Sequence, residues 1–293
     1  MNVMWVVAWA GLPLVLLLAL RWLVHRSLAP ERVPNRQLPG LPGWRKLRVP
    51  TERGRLLTAW FLPQNEPSPV LVALHGWGGN ADSLLPLAAP LQAAGYGVVL
   101  FDTRCHGDSD DDNFASLPRF AEDLAAVLDA LKGEPSVDAA RIAVFGHSVG
   151  AGAALLAATR RPDIAAVVSL AAFAHPAEMM RRWLRAKGAL WQSVEKSLLA
   201  YVQRVIGFRF DTIAPLTSMA QLTCPVLLLH GANDATVPLT DAYRLQDAAG
   251  RPDVRLLVLS GSHDEFTEME AHLGEVLAFL DSVLRRVPSS APA

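Results

Sequence analysis

Arg141 to Pro162 reads RIAVFGHSVGAGAALLAATRRP, and this stretch decides how the rest of the chain is folded. Ile142 to Phe145 are four apolar residues in a row, the mark of a strand buried on both faces. Gly146-His147-Ser148-Val149-Gly150 breaks that run abruptly. An alanine-rich helix then runs to Thr159 and stops before Pro162. The order strand, G-x-S-x-G turn, helix is that of a nucleophile elbow. A serine on so sharp a turn is strained, and side chains two positions either side would collide with neighbouring backbone, so Gly146 and Gly150 have a steric reason to be there. Gly150, Gly152, Ala153 and Ala154 let the helix approach the sheet closely. Its free N–H groups and positive dipole end fall beside Ser148, where an oxyanion would form.

Outward from this stretch the same alternation recurs. Arg45 to Val49 and Leu56 to Phe61 read as a short hairpin joined through Arg53-Gly54. Val70 to Leu74, Gly97 to Phe101, Ile164 to Leu170, Val226 to Leu229 and Val254 to Leu259 read as apolar strands. Helical patterns fall at Ser83 to Ala94, Arg119 to Leu131, Ala151 to Thr159 and Glu268 to Val287. Short apolar strands alternating with helices predict an α/β domain, a mostly parallel sheet covered on both faces, with its site beyond the carboxyl ends of the strands.

The residues at those ends are the polar ones. His75-Gly76-Trp77-Gly78-Gly79-Asn80 follows the Val70 strand, and Asp102 to Ser109 follows the Gly97 strand. His230 to Pro238 follows the Val226 strand, and Ser260 to Asp264 follows the Val254 strand. Taken with Ser148, they supply a set in the chain order Ser148, Asp234, His263. Asp264 is an alternative acid, but residues adjacent in sequence orient each other's rings poorly, so Asp234 is favoured.

With HGWGGN (75–80), FDTRCHGDS (101–109), GHSVG (146–150), HGANDATVP (230–238) and GSHDE (261–265), the chain resembles the α/β-hydrolases, in the monoacylglycerol-lipase-like and serine-aminopeptidase-like branch. The resemblance covers residues 44–287. It implies Ser148 as nucleophile, His263 as the base that takes and returns its proton, and Asp234 as the acid that orients the ring. It further implies backbone N–H donors at Trp77 and Val149 for the oxyanion, with His75, Gly76, Gly146, Gly150 and His106 supporting the loops. Members of this branch often carry glycine where this chain has Cys105, so the loop around His106 is expected to differ in shape.

Residues 174–219 exceed what one crossover needs. Apolar positions including Trp183, Leu184, Trp191, Val194, Leu198, Leu199 and Val202 predict two amphipathic helices, which the resemblance implies to be a cap. Arg181, Arg182, Arg185 and Lys187 make its start basic, a composition that can touch anionic headgroups or admit an amphiphilic substrate.

The N-terminus reads differently. Val3 to Leu20 is uncharged and apolar, and its eighteen residues would span about 27 Å as a helix. Trp5 and Trp22 mark its ends. No Lys or Arg precedes it, which disfavours a cleaved signal peptide. Arg21, Arg26, Arg32, Arg36, Arg45, Lys46 and Arg48 all follow it, which places the catalytic body in the cytoplasm. The expected organisation is therefore a membrane anchor (1–26, with membrane contact through 3–24), an extended linker with four prolines (27–43), the hydrolase domain (44–287) and a disordered tail (288–293).

Composition excludes other classes. With 293 residues, 51% hydrophobic and a net charge of −1, the chain has no electrostatic case for nucleic acid. Cys105 and Cys224 make no disulfide framework and read as unpaired thiols. The acidic run Asp108 to Asn113 lacks the glycine and glutamate of a calcium loop, and no zinc motif occurs, so neither metal nor cofactor is expected. The expected activity is cleavage of a small carboxylic ester, lipid esters included, through an acyl-enzyme on Ser148. A serine peptidase or acyltransferase on the same triad, and a non-catalytic membrane-held interaction protein, stand as alternatives. Haloalkane dehalogenases and epoxide hydrolases use an aspartate nucleophile, so Ser148 disfavours them.

Overall fold

The computed structural model describes residues 15, 18–19, 21–26, 28–264 and 271–285. Eight strands form one sheet: β1 (Arg45–Thr51), β2 (Arg55–Leu62), β3 (Ser68–Leu74), β4 (Gly97–Phe101), β5 (Val137–His147), β6 (Ile164–Leu170), β7 (Val226–Gly231) and β8 (Val254–Leu259). Their order is β1-β2-β4-β3-β5-β6-β7-β8. β1 pairs antiparallel with β2 and β2 with β4, while every pair from β4 to β8 is parallel.

The run of apolar residues in each central strand has a simple cause. Alternate side chains point to opposite faces, and both faces are covered. In β3, Val70, Val72 and Leu74 enter one core while Leu71 and Ala73 enter the other. The first face is covered by α2 (Leu117–Leu131) and α3 (Val149–Ala158), numbering α1 as Ala88–Ala93. The second is covered by α1, the 3-10 segment Ala81–Leu87 before it, and α9 (Leu273–Leu284). The single helix expected over 83–94 is split, because Pro86 stands inside it and Pro90 follows in α1.

Between β6 and β7 lie α4 (Pro176–Ala186), α5 (Ala189–Ile206), α6 (Phe210–Ile213) and α7 (Pro215–Gln221). α4 and α5 are the two helices that the sequence pattern places in the cap. Leu184, Leu199 and Val202 are buried, whereas Trp183 and Val194 are exposed. The basic start of the cap is half neutralised: Arg181 pairs with Glu195 at 2.8 Å, and Arg182 with the buried Asp241 at 2.9 Å. α8 (Leu239–Ala249) crosses from β7 to β8 and was not foreseen from the sequence.

Of the segment 27–43, read above as an extended linker, the described residues 28–43 carry no regular element beyond a 3-10 turn at Leu38–Gly40, yet they lie against the domain instead of hanging free. Polar side chains of the body grip this strap: the Asp82 carboxylate accepts the N–H groups of Arg36, Gln37 and Leu38 at 2.5, 2.8 and 3.0 Å. The apolar run at 3–20 and the tail at 288–293 fall almost wholly outside the described residues. Among the described residues no helix is long and apolar enough to cross a membrane.

Candidate active site

β5 ends at His147, and Ser148 sits at φ 53°, ψ −114°, a region L-residues avoid. Its N–H donates to the Leu170 carbonyl at 2.9 Å, tying the turn to the end of β6. The flanking glycines have no room for a side chain. A Cβ on Gly146 would lie 2.4 Å from the Gly150 oxygen, and one on Gly150 would lie 2.4 Å from the His75 oxygen. The turn is therefore held from both sides, and Ser148 stands at the carboxyl end of the sheet.

The acid and the imidazole arrive from the next two strand ends. Gly231 closes β7 against the loop after β8, where a Cβ would meet the Gly261 oxygen at 2.4 Å. The Asn233 N–H donates to Gly261 at 3.1 Å and its amide to the Ser260 carbonyl at 2.7 Å. Asp234 and His263 are brought together by these bonds: His263 Nδ1 lies 2.7 Å from Asp234 Oδ2, and His263 Nε2 lies 3.0 Å from Ser148 Oγ. Burial pushes the Asp234 carboxyl up, but hydrogen bonds from His263 and from the N–H groups of Val237 and Thr236 outweigh it and leave it below the usual range. It is thus held ionised beside the ring. Asp264, the alternative acid, is 81% exposed and lies 3.9 Å from His147, not at the His263 ring nitrogen.

The HG-x loop lies alongside. A Cβ on Gly76 would be 3.3 Å from Ser148 Cβ, so glycine lets this loop approach the serine. Val149 opens α3, and its N–H has no carbonyl one turn back to bind. His106 Nε2 accepts the Gly78 N–H at 3.2 Å, and His75 Nε2 accepts the Thr103 N–H at 3.2 Å. The opposite nitrogens face carbonyls: His106 Nδ1 meets Arg104 at 3.1 Å and His75 Nδ1 meets Gly76 at 2.7 Å. Both rings are neutral with the proton on Nδ1, a tautomer assigned from these partners. Burial drives the His75 imidazole well below its usual value, and His106 to about 4.

Cys105 occupies φ 68°, the left-handed region that glycine takes without strain. Its thiol takes the Asp112 N–H at 3.2 Å and faces the Asp112 carbonyl at 3.4 Å, so the turn is kept despite the side chain. The carboxylates of the acidic run face arginines: Asp110 pairs with Arg48 at 3.0 Å, and Asp112 with Arg53, Arg104 and Arg119 at 3.3 to 3.5 Å.

Two histidines escaped the sequence reading. His147 Nε2 lies 2.9 Å from the His263 carbonyl, and burial lowers it to about 4. His230 Nε2 lies 2.8 Å from the Val237 carbonyl and 3.5 Å from Asp234, bracing the acid loop. His147 occupies the first variable position of G-x-S-x-G, and His230 closes a strand. Neither position signals a partner more than a hundred or only a few residues away.

A cavity of about 720 Å³ opens over Ser148 and His263. Its walls are mostly apolar, with Phe173, Met179, Met180 and Trp183 on the cap side and Trp77 and Val149 on the sheet side.

A family model described as serine aminopeptidase, S33, matches residues 65–206. An uncharacterized protein of Mycobacterium tuberculosis is 31% identical over 230 residues, covering 77% of this chain and 74% of the relative. The chain belongs to the α/β-hydrolases. This hydrolase is also similar to the cutinase est1 of Thermobifida alba, 28% identical over 170 residues, which cover 56% of the chain and 49% of the relative. In fold it is similar to an esterase of Pyrococcus furiosus, with a TM-score of 0.71, 21% identity, and coverage of 88% of this chain and 98% of that one. The hydrolase assignment thus agrees with the sheet order and with the placement of the elbow.

Proposed function

We propose that this hydrolase cleaves carboxylic esters through an acyl-enzyme on Ser148. The observation that carries the reading is the line Asp234–His263–Ser148, at 2.7 and 3.0 Å, opening into an apolar cavity. In this reading Ser148 Oγ attacks the ester carbonyl as His263 Nε2 takes its proton. Asp234 fixes the ring with its proton on Nδ1 and stabilises the imidazolium. The N–H groups of Val149 and Trp77 donate to the oxygen that becomes negative. His263 returns the proton to the departing alcohol, and a water, deprotonated by the same ring, releases the acid. The cutinase and esterase similarities support ester over amide. The serine aminopeptidase description supports a second reading, in which the same line cleaves amides.

The test is a panel of p-nitrophenyl esters beside the matching aminoacyl anilides, run on the purified full chain. Esters turned over faster than anilides uphold the first reading; anilides turned over faster replace it with the second. The apolar run at 3–20 supports a further element, retention at a membrane with the catalytic body in the cytoplasm. Recovery of the protein in the membrane fraction after alkaline carbonate washing supports it, and release into the supernatant contradicts it.

A further inference from the structure

The cavity over Ser148 has one wall that comes from neither the sheet nor the cap. Leu28, from the strap before β1, lines it together with Ser148 and the cap residues Met179, Met180 and Trp183. We infer that the strap is a fixed wall of the substrate cavity and that Leu28 is a specificity-determining residue for the ester's acyl chain, limiting the length that fits. The inference rests on the ester reading above and deepens it.

The strap is built to hold that leucine still. Val24 is buried in the main core, one helical turn before Leu28 on the same face. The Leu28 N–H donates to the Val24 carbonyl at 3.0 Å, and the Leu28 carbonyl accepts the Ala115 N–H at 2.9 Å. Both backbone groups of the residue are therefore fixed. Further along, the Arg32 guanidinium donates to the Gly107 and Ser109 carbonyls at 3.1 and 2.7 Å and to Asp111 at 2.6 Å. Asn35 donates to the buried Asp102 carboxylate at 2.6 Å and accepts the Asp82 N–H at 2.9 Å. Asn80 donates to the Val33 and Pro34 carbonyls at 3.1 and 3.2 Å. These partners lie on the loops after β3 and β4, the loops that also position Gly76, Trp77 and His106. The strap is thus locked to the same frame as the oxyanion loop.

The facing wall is of another kind. Met179 and Met180 are unbranched and adapt their shape, so they accept chains without measuring them. Leucine is branched and has fewer side-chain torsions than methionine, so on a backbone tied at its N–H and its carbonyl it adapts less and sets how much chain fits.

The test compares full-chain wild type, Leu28→Trp, Leu28→Ala and Arg32→Ala for kcat/KM on p-nitrophenyl acetate, octanoate and dodecanoate. Leu28→Trp should lower the octanoate-to-acetate ratio at least about tenfold, the scale of a changed methylene or two in an apolar pocket. Leu28→Ala should raise the dodecanoate-to-octanoate ratio, and Arg32→Ala should move it the same way by less. Leu28→Ala keeps the question answerable if the tryptophan does not fold. Ratios within about twofold of wild type in both Leu28→Ala and Arg32→Ala, with esters still cleaved, overturn the inference alone. A wild-type chain inert to every ester overturns the ester reading and this inference together.

Discussion

The strand ends and the cap above them are held by different forces. At the strand ends, backbone does the holding: three glycines have a carbonyl oxygen where a side chain would start, and buried neutral histidines bond to N–H and C=O groups. In the cap, side chains do it, through the buried Leu184, Leu199 and Val202, the Arg182–Asp241 pair, and surface pairs such as Arg181–Glu195 and Arg244–Glu178. Backbone contacts at van der Waals limits permit one arrangement, whereas solvated ion pairs contribute little and exchange readily. The contrast assigns chemistry to the rigid half and substrate fit to the adjustable half. The strap is the exception, since it borders the cavity yet is tied by polar side chains bonded to backbone, with Leu28 itself held through its own N–H and carbonyl.

Substitutions at the strand ends should show the largest effects. His263→Ala should lower ester turnover by about 10⁴–10⁶-fold and Asp234→Asn by about 10⁴-fold, read from kcat on a p-nitrophenyl ester. Losses below a hundredfold would break the contrast at its strongest point. Gly150→Ala should destabilise the fold by more than about 3 kcal/mol in urea unfolding, because the His75 carbonyl must move. A near-neutral result would show the elbow to be compliant.

The buried histidines sharpen the same half through pH. Folded-state values near 4 for His106 and His147, against about 6.5 unfolded, mean that the unfolded chain binds more protons between those limits. The stability these rings contribute is complete above pH 6.5 and is lost as pH falls toward 4. His106→Asn should therefore lose less stability than wild type over that window, and imidazole ¹⁵N spectra should show both rings neutral at pH 5.5. The smallest effect belongs to the cap: Arg181→Ala should cost less than about 1 kcal/mol, with ester turnover changed less than threefold. A cap variant as damaging as Asp234→Asn would erase the distinction between the halves.

Much of the rigid half was legible in the sequence, for the reason that makes it rigid. The central strands could be read because strands covered on both faces must be apolar throughout, and the exposed β1 was read with β2 as a hairpin joined through Arg53-Gly54. Ser148, Asp234 and His263 could be read because a parallel sheet gathers its polar residues at one end. What could not be read depends on single polar atoms meeting at a distance. Nothing in a proline-rich segment signals that Asp82 will bind three of its N–H groups, or that Asn35 will reach Asp102. Helix α8 was missed because its residues Thr240, Asp241, Arg244, Gln246 and Asp247 interrupt the apolar pattern. The break at Pro86 was legible, and two prolines four residues apart should have marked it.

The central claim is that Ser148 is a nucleophile activated by His263. Incubating the full chain with a fluorophosphonate probe and mapping the adduct by peptide mass spectrometry tests it directly. The account predicts a single adduct on Ser148, absent in Ser148→Ala and strongly slowed in His263→Ala. No adduct on the folded wild-type protein, or one that persists unchanged in Ser148→Ala, would contradict it.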